Sequence, residues 1–202
     1  MTRLVLLGAS NVRRGLPTVV QTARAASGPG LEILGAFGHG RSYGGRSRVL
    51  IRELPGILDC GIWGALAPGG GETKALITDV GNDVLYGHSA PAILAWVSEC
   101  VSRLRLAGAA IRVTTLPLDR IRRVSPAEFL LFRTLFFPGS TVGWREAIET
   151  SGQLDAGLRD LAATARATLV EAPGGWYGTD PIHIRRRCRR AAWAEILGAS
   201  HA

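Results

Sequence analysis

Apolar positions along the chain gather into five short runs: Arg3 to Gly8, Leu31 to Phe37, Lys74 to Val80, Ala110 to Leu116 and Ala167 to Ala172. Each run is continuous rather than alternating in polarity, the pattern of strands covered on both faces. Longer amphipathic segments separate them and predict helices: Arg13 to Ala26, Ser47 to Leu58, Ser89 to Leu106, a pair between Pro126 and Thr164, and a last helix from about Pro181 to Leu197. Strand and helix alternation of this kind predicts an α/β fold, a parallel sheet with right-handed crossovers inside a three-layer α/β/α sandwich. For five such strands the flavodoxin-like order is 2-1-3-4-5, which opens a crevice at the carboxyl ends beside the first strand. Residues just after Gly8, Phe37 and Val80 are then expected to meet in space. The 202 residues carry no internal repeat, low-complexity tract or Pro/Ser linker, so one domain over 1–202 is expected.

Composition narrows the class. With 47% hydrophobic and 20% charged residues the chain has ample material for a core, which excludes global disorder. No stretch reaches the roughly 18 apolar residues of a membrane span, and Leu4 to Leu7 is too short for a signal peptide, so a cytoplasmic location is expected. The 3 cysteines, Cys60, Cys100 and Cys188, are widely spaced and without CxxC pairing; they read as small core or surface thiols rather than a disulfide framework or a metal site. The loop Pro68-Gly69-Gly70-Gly71 lacks the spacing of a phosphate-binding P-loop.

The net charge of +8 and a pI near 10.6 point first to nucleic acid. Its distribution argues otherwise. Residues 1–59 hold 8 basic and 3 acidic groups, which is most of the excess, and Lys74 is the sole lysine. The run Arg185-Arg186-Arg187-Cys188-Arg189-Arg190 spreads around several helix faces and reads as a solvated surface. No nucleic-acid partner is expected, and the charge near the predicted crevice, at Arg13, Arg14 and Arg41, reads as a bias toward anionic or polar small molecules or as compositional background.

Candidate chemistry stands at the predicted strand ends. After the first strand comes Gly8-Ala9-Ser10-Asn11, where Ser10 reads either as a helix N-cap or as a nucleophile presented at a helix N-terminus. After the second comes Gly38-His39-Gly40-Arg41-Ser42-Tyr43-Gly44-Gly45, dense enough in glycine to make a turn or to bring a backbone N–H close to a substrate oxygen. After the third comes Gly81-Asn82-Asp83, whose Asn82 amide is a turn residue or a donor to the same oxygen. Near the C-terminus, Asp180-Pro181-Ile182-His183 reads as an N-cap with its N1 proline, or as a carboxylate orienting an imidazole three residues on.

In order and spacing these four pieces resemble the four sequence blocks of the SGNH (GDSL-like) hydrolases. The resemblance spans Ser10 to His183 and implies a flavodoxin-like α/β/α fold and hydrolysis of carboxylic esters through an acyl-enzyme, with no metal or organic cofactor. It assigns Ser10 as nucleophile with Asp180 and His183 completing a triad. It also assigns an oxyanion hole of the Ser10 and Gly40 N–H groups with the Asn82 side chain. Two departures stand out: Ala9 occupies the position of the family's usual Asp, and Gly35 a position where Asn is frequent. The expected substrates are short-chain acyl or acetyl esters, with His39, Arg41 and Tyr43 lining the pocket mouth as substrate contacts. The apolar residues Phe129 to Phe137 read as core, as an acyl-pocket wall or as a dimer contact; the oligomeric state is not legible.

Three other readings are weaker. Gly40-Arg41-Ser42-Tyr43-Gly44 matches the GxSxG nucleophile elbow of α/β-hydrolases, but too few strands precede it. A dinucleotide-binding turn after Leu7 would need glycine where Ser10 and Arg13 stand, and no acidic residue closes the second strand. A non-enzymatic nucleic-acid binder would rest on the arginine run alone.

Overall fold

The computed structural model describes residues 2–49, 52–66 and 71–199. In chain order the elements are β1 (Arg3–Leu7), α1 (Ser10–Ser27), β2 (Glu32–Ala36), β3 (Ser47–Val49), β4 (Arg52–Leu54), α2 (Ile62–Ala65), β5 (Thr73–Ile77), α3 (Asn82–Leu85), α4 (Ala90–Leu106), β6 (Ala109–Thr114), α5 (Leu118–Ile121), α6 (Pro126–Phe136), α7 (Trp144–Thr164), β7 (Thr168–Val170) and α8 (Arg189–Leu197). Short 3-10 turns span Gly174–Trp176 and Arg186–Cys188.

Five strands form one parallel sheet in the order β2-β1-β5-β6-β7, which is 2-1-3-4-5 when only these strands are numbered. The five apolar runs are therefore its strands. β1 lies between β2 and β5, and its residues show why the run is apolar throughout: alternate side chains enter opposite layers. Leu4 and Leu6 pack with Val12, Val19 and Trp193 from α1 and α8, whereas Val5 and Leu7 pack with Ile93, Val97, Leu104, Leu154 and Leu158 from α4 and α7. The sheet is thus covered by helices on both faces.

On the first face α1 and α8 touch through a glycine. A Cβ added to Gly15 would stand 2.2 Å from the indole Nε1 of Trp193, whose ring is 1% exposed. Gly15→Ala is expected to push the two helices apart, costing about 1–3 kcal/mol and lowering Tm by several degrees in a thermal melt. An unchanged Tm would show that the contact is soft.

Two expectations fail. Ser47 to Leu58 is not a helix: Ser47, Arg48 and Val49 pair antiparallel with Leu54, Glu53 and Arg52 as a separate two-stranded ribbon, with residues 50–51 outside the described ones. Pro55 disfavours helical backbone at Leu54, leaving too few residues for a stable helix. A Cβ added to Gly56 would stand 2.8 Å from the Gly44 carbonyl group, so only glycine fits there. The last helix starts at Arg189 rather than Pro181; residues 178–185 form a bent loop pinched by a bridge between Tyr177 and Ile184. Asp180 is thus not the N-cap of that helix. Residues 68–70 of the glycine-rich loop lie outside the described residues.

Candidate active site

Ser10 is the first residue of α1 and 4% exposed; the N-cap is Ala9, whose side chain cannot cap. A carboxylate from elsewhere does so. One Asp79 oxygen accepts from the N–H groups of Ala9 (2.9 Å) and Asn11 (3.0 Å), and the other accepts from Asn11 Nδ2 (2.8 Å). Both peptide neighbours of Ser10 are held, while the Ser10 N–H makes no hydrogen bond among the described residues. Asp79 adopts the left-handed backbone conformation (φ 61°), uncommon for a residue other than glycine, and this turns it from the end of β5 toward α1. Burial pushes its carboxyl above the ordinary range, opposed by the hydrogen bonds from Asn11 and Ala9 and by the nearby His183.

Asn11 carries the linkage onward. Its Nδ2 also donates to Ile182 O (2.8 Å), and its Oδ1 accepts from Ile184 N (2.8 Å). Asn11 therefore grips both chain neighbours of His183, as Asp79 grips both neighbours of Ser10. This brings residues 9–11 and 182–184 together across nearly the whole chain. Ser10 and His183 are brought to the same end of the sheet but are not hydrogen-bonded to each other, a separation that does not by itself disqualify a candidate base.

The His183 ring is oriented by Asp180: Nδ1 lies 2.6 Å from Asp180 Oδ2, and Oδ1 of the same carboxylate accepts from Ile182 N (2.8 Å) and His183 N (3.3 Å). The three-residue spacing works through an Asx-type turn, not a helical turn. Burial alone would raise the Asp180 carboxyl, but the His183 ring and these N–H groups outweigh it and hold it below its ordinary range. Phe136 at the end of α6 packs its ring against the imidazole (centroids 5.0 Å, 78°), and Arg120 secures the loop through the Gly178 and Thr179 carbonyls.

On the β2 side, Gly40 has φ 60°, and its carbonyl accepts from the Tyr86 hydroxyl at 2.6 Å, which fixes the adjoining peptide. Its own N–H is unengaged among the described residues. On the β5 side, Asn82 is 5% exposed and its Nδ2 is buried without a partner. A buried amide donor left unpaired is costly in a folded protein and is most often explained by a ligand or by function. The neighbouring Asp83 is structural: it accepts from the Ser42 hydroxyl and from Tyr43 N (2.9 Å), tying the glycine-rich loop to α3. Burial raises its carboxyl to about 6.

The three expected substrate contacts separate. His39 is exposed and lies within the fields of Arg13, Arg14 and His183; burial first, then those charges, lower its pKa. Arg41 is 8% exposed, with its Nε buried and without a hydrogen-bond partner among the described residues. Tyr43 does not line the mouth. It is fully buried, with its hydroxyl between the carbonyls of Leu7 (3.1 Å) and Thr78 (2.8 Å), because an aromatic ring in this loop gains more from the core than from the crevice. Ser42, the serine of the GxSxG match, is likewise fully buried and donates to Asp83.

Beside Asn82 opens a cavity of about 120 Å³, which runs under α6 toward α7. Leu116, Ile121, Phe129, Phe132 and Ile148 wall it, and Asn11, Asn82 and Ile182 stand on its inner side. Phe129 and Phe132 are thus pocket wall, whereas Leu130, Leu131 and Leu135 are exposed, at 53%, 61% and 64%. Among the described residues no cluster of His, Cys, Asp and Glu could hold a metal ion. No helix of the described residues is long and apolar enough to cross a membrane.

Sequence comparison finds no matching family model and no matching curated protein. Comparison of folds finds solved structures that align over nearly the whole chain. A carbohydrate acetylesterase family member from Sinorhizobium meliloti is similar with a TM-score of 0.67 at 15% identity, covering 98% of this chain and 96% of that one. The psychrotrophic esterase EstA from Pseudoalteromonas sp. gives 0.60 at 15% identity, with 98% and 95% covered. A GDSL-like lipase from Bacteroides thetaiotaomicron gives 0.59 at 11% identity, with 98% and 86% covered. The sandwich is therefore the fold that those enzymes share.

Proposed function

We propose that the protein is a serine esterase of the SGNH type that hydrolyses carboxylic esters, short-chain acyl or acetyl esters among them, with Ser10, Asp180 and His183 as its triad. The observation that carries this reading is a set of donors unengaged among the described residues, the Ser10 N–H, the Gly40 N–H and the buried Asn82 Nδ2, on the segments that follow three adjacent strands, β1, β2 and β5. Donors preorganised in this way suit the oxyanion of acyl transfer. The fold likeness to esterases supports the same reading.

In this mechanism His183 Nε2 takes the Ser10 hydroxyl proton as Oγ bonds to the acyl carbon, and the carbonyl oxygen becomes an oxyanion held by the three donors. Asp180, ionised and bonded to Nδ1, keeps the ring in the tautomer that leaves Nε2 free and offsets the charge it gains. The intermediate then breaks its bond to the alcohol oxygen, which takes the proton from His183. Water, activated by the same ring, next attacks the acyl-enzyme, releasing the acid and restoring Ser10. The apolar cavity beside Asn82 receives the acyl group. The free thiols Cys60, Cys100 and Cys188 suit a cytoplasmic setting.

A fluorophosphonate probe tests the assignment. Treatment of the folded protein is expected to give one covalent adduct, mapped to Ser10 by peptide mass analysis and prevented by prior heat denaturation. No adduct, or an adduct on another serine, would overturn it.

A further inference from the structure

Arg41 is the least comfortable charge in the molecule. It is 8% exposed, its Nε is buried, and among the described residues its side chain makes neither a hydrogen bond nor an ion pair. Buried charges are ordinarily paired, and a guanidinium without a protein partner is suited to pair with an anion. Arg41 follows Gly40 directly, at the edge of the proposed oxyanion site.

The surroundings carry the same sign. Arg13 and Arg14 lie three and four residues along α1 from Ser10, on the same side of the helix as its first turn, and both are exposed without an ion-pair partner. Arg189, at the start of α8, donates to the Arg14 carbonyl (3.2 Å) and so adds a further cation to this edge. The fields of Arg13 and Arg14 are felt at His39, and those of Arg14 and Arg186 at Arg189, which agrees with their crowding.

Arg41 stands outside the apolar cavity. Asn82 and Leu116 line that cavity after β5 and β6, whereas Arg41 is not among its lining residues and sits on the loop after β2, which the Tyr86 hydroxyl holds through the Gly40 carbonyl. An uncharged acyl group fits the apolar cavity, which leaves the alcohol half of the ester for the loop of Arg41. We propose that the preferred substrates are esters whose alcohol half bears a carboxylate or phosphate, received by Arg41 together with Arg13 and Arg14. This rests on the serine-esterase reading and adds to it a chemical class of substrate.

The test compares butanoyl esters of three phenols that differ only in the para substituent: methyl, carboxylate and phosphate. At low salt the intact protein is expected to favour at least one anionic ester over the neutral one by about tenfold or more in kcat/KM, mainly through KM. The carboxylate and phosphate arms identify which anion is taken. The preference should shrink at about 0.5 M NaCl, where the Debye length is only a few ångströms. It should fall toward one in Arg41→Gln and in the doubly substituted Arg13→Gln/Arg14→Gln, whose exposed positions pose no folding risk. Equal rates on all three esters in the intact protein, or a preference that survives both variants, overturns the proposal. Hydrolysis of none of the three instead defeats the esterase reading beneath it.

Discussion

Ser10→Ala is expected to remove ester hydrolysis, with kcat falling by about 10⁴-fold or more, while Tm stays within about a degree of the parent. The second half of the expectation comes from the first turn of α1. If the Ser10 hydroxyl capped the helix, its loss would cost about 1 kcal/mol. Asp79 caps that turn instead, and Ser10 Oγ makes no hydrogen bond among the described residues, so the alanine variant loses only an unengaged hydroxyl. Turnover of an activated ester and a thermal melt on the same preparation check both halves. Retained turnover would move the nucleophile elsewhere; lost turnover with a depressed Tm would make Ser10 a structural residue.

The second large effect concerns Asn82. Its Nδ2 has no partner among the described residues, so Asn82→Ala removes a buried unsatisfied donor rather than an existing bond, and stability should not fall. The donor is useful only once the carbonyl oxygen has become an oxyanion. Its loss is therefore expected to lower kcat by about 10² to 10³ with KM nearly unchanged. Steady-state kinetics distinguish this from a packing defect, which would lower Tm and move both parameters. A kcat loss below about tenfold would exclude Asn82 from the oxyanion site.

The sheet was legible because burial on both faces leaves a clear mark: β1 must be apolar at Leu4 and Leu6 for one layer and at Val5 and Leu7 for the other. The residues around the crevice were legible because strand order alone brings the ends of β1, β2 and β5 together. What escaped depends on backbone conformation and on partners distant in sequence. Asp79 reads as the polar tail of a strand, and nothing local announces that it takes φ 61° and caps a helix 70 residues earlier. It braces the turn that carries Ser10, where Ala9 lacks a carboxylate of its own. Tyr43 and Arg41 stand two apart in a glycine-rich loop with no periodicity to tell inside from outside, so the burial of one ring and the stranding of one guanidinium had to be seen. Residues 47–58 looked helical because apolar spacing in so short a segment fits more than one period, and Pro55 decides against the helix only when weighed with the ribbon it permits.

The grip of Asn11 on Ile182 and Ile184 joins residues 171 and 173 positions apart. Contacts of such long sequence separation form late, since the loop they close must first be ordered. The juxtaposition of Ser10 with the Asp180–His183 loop therefore exists only once these two distant segments have closed on each other.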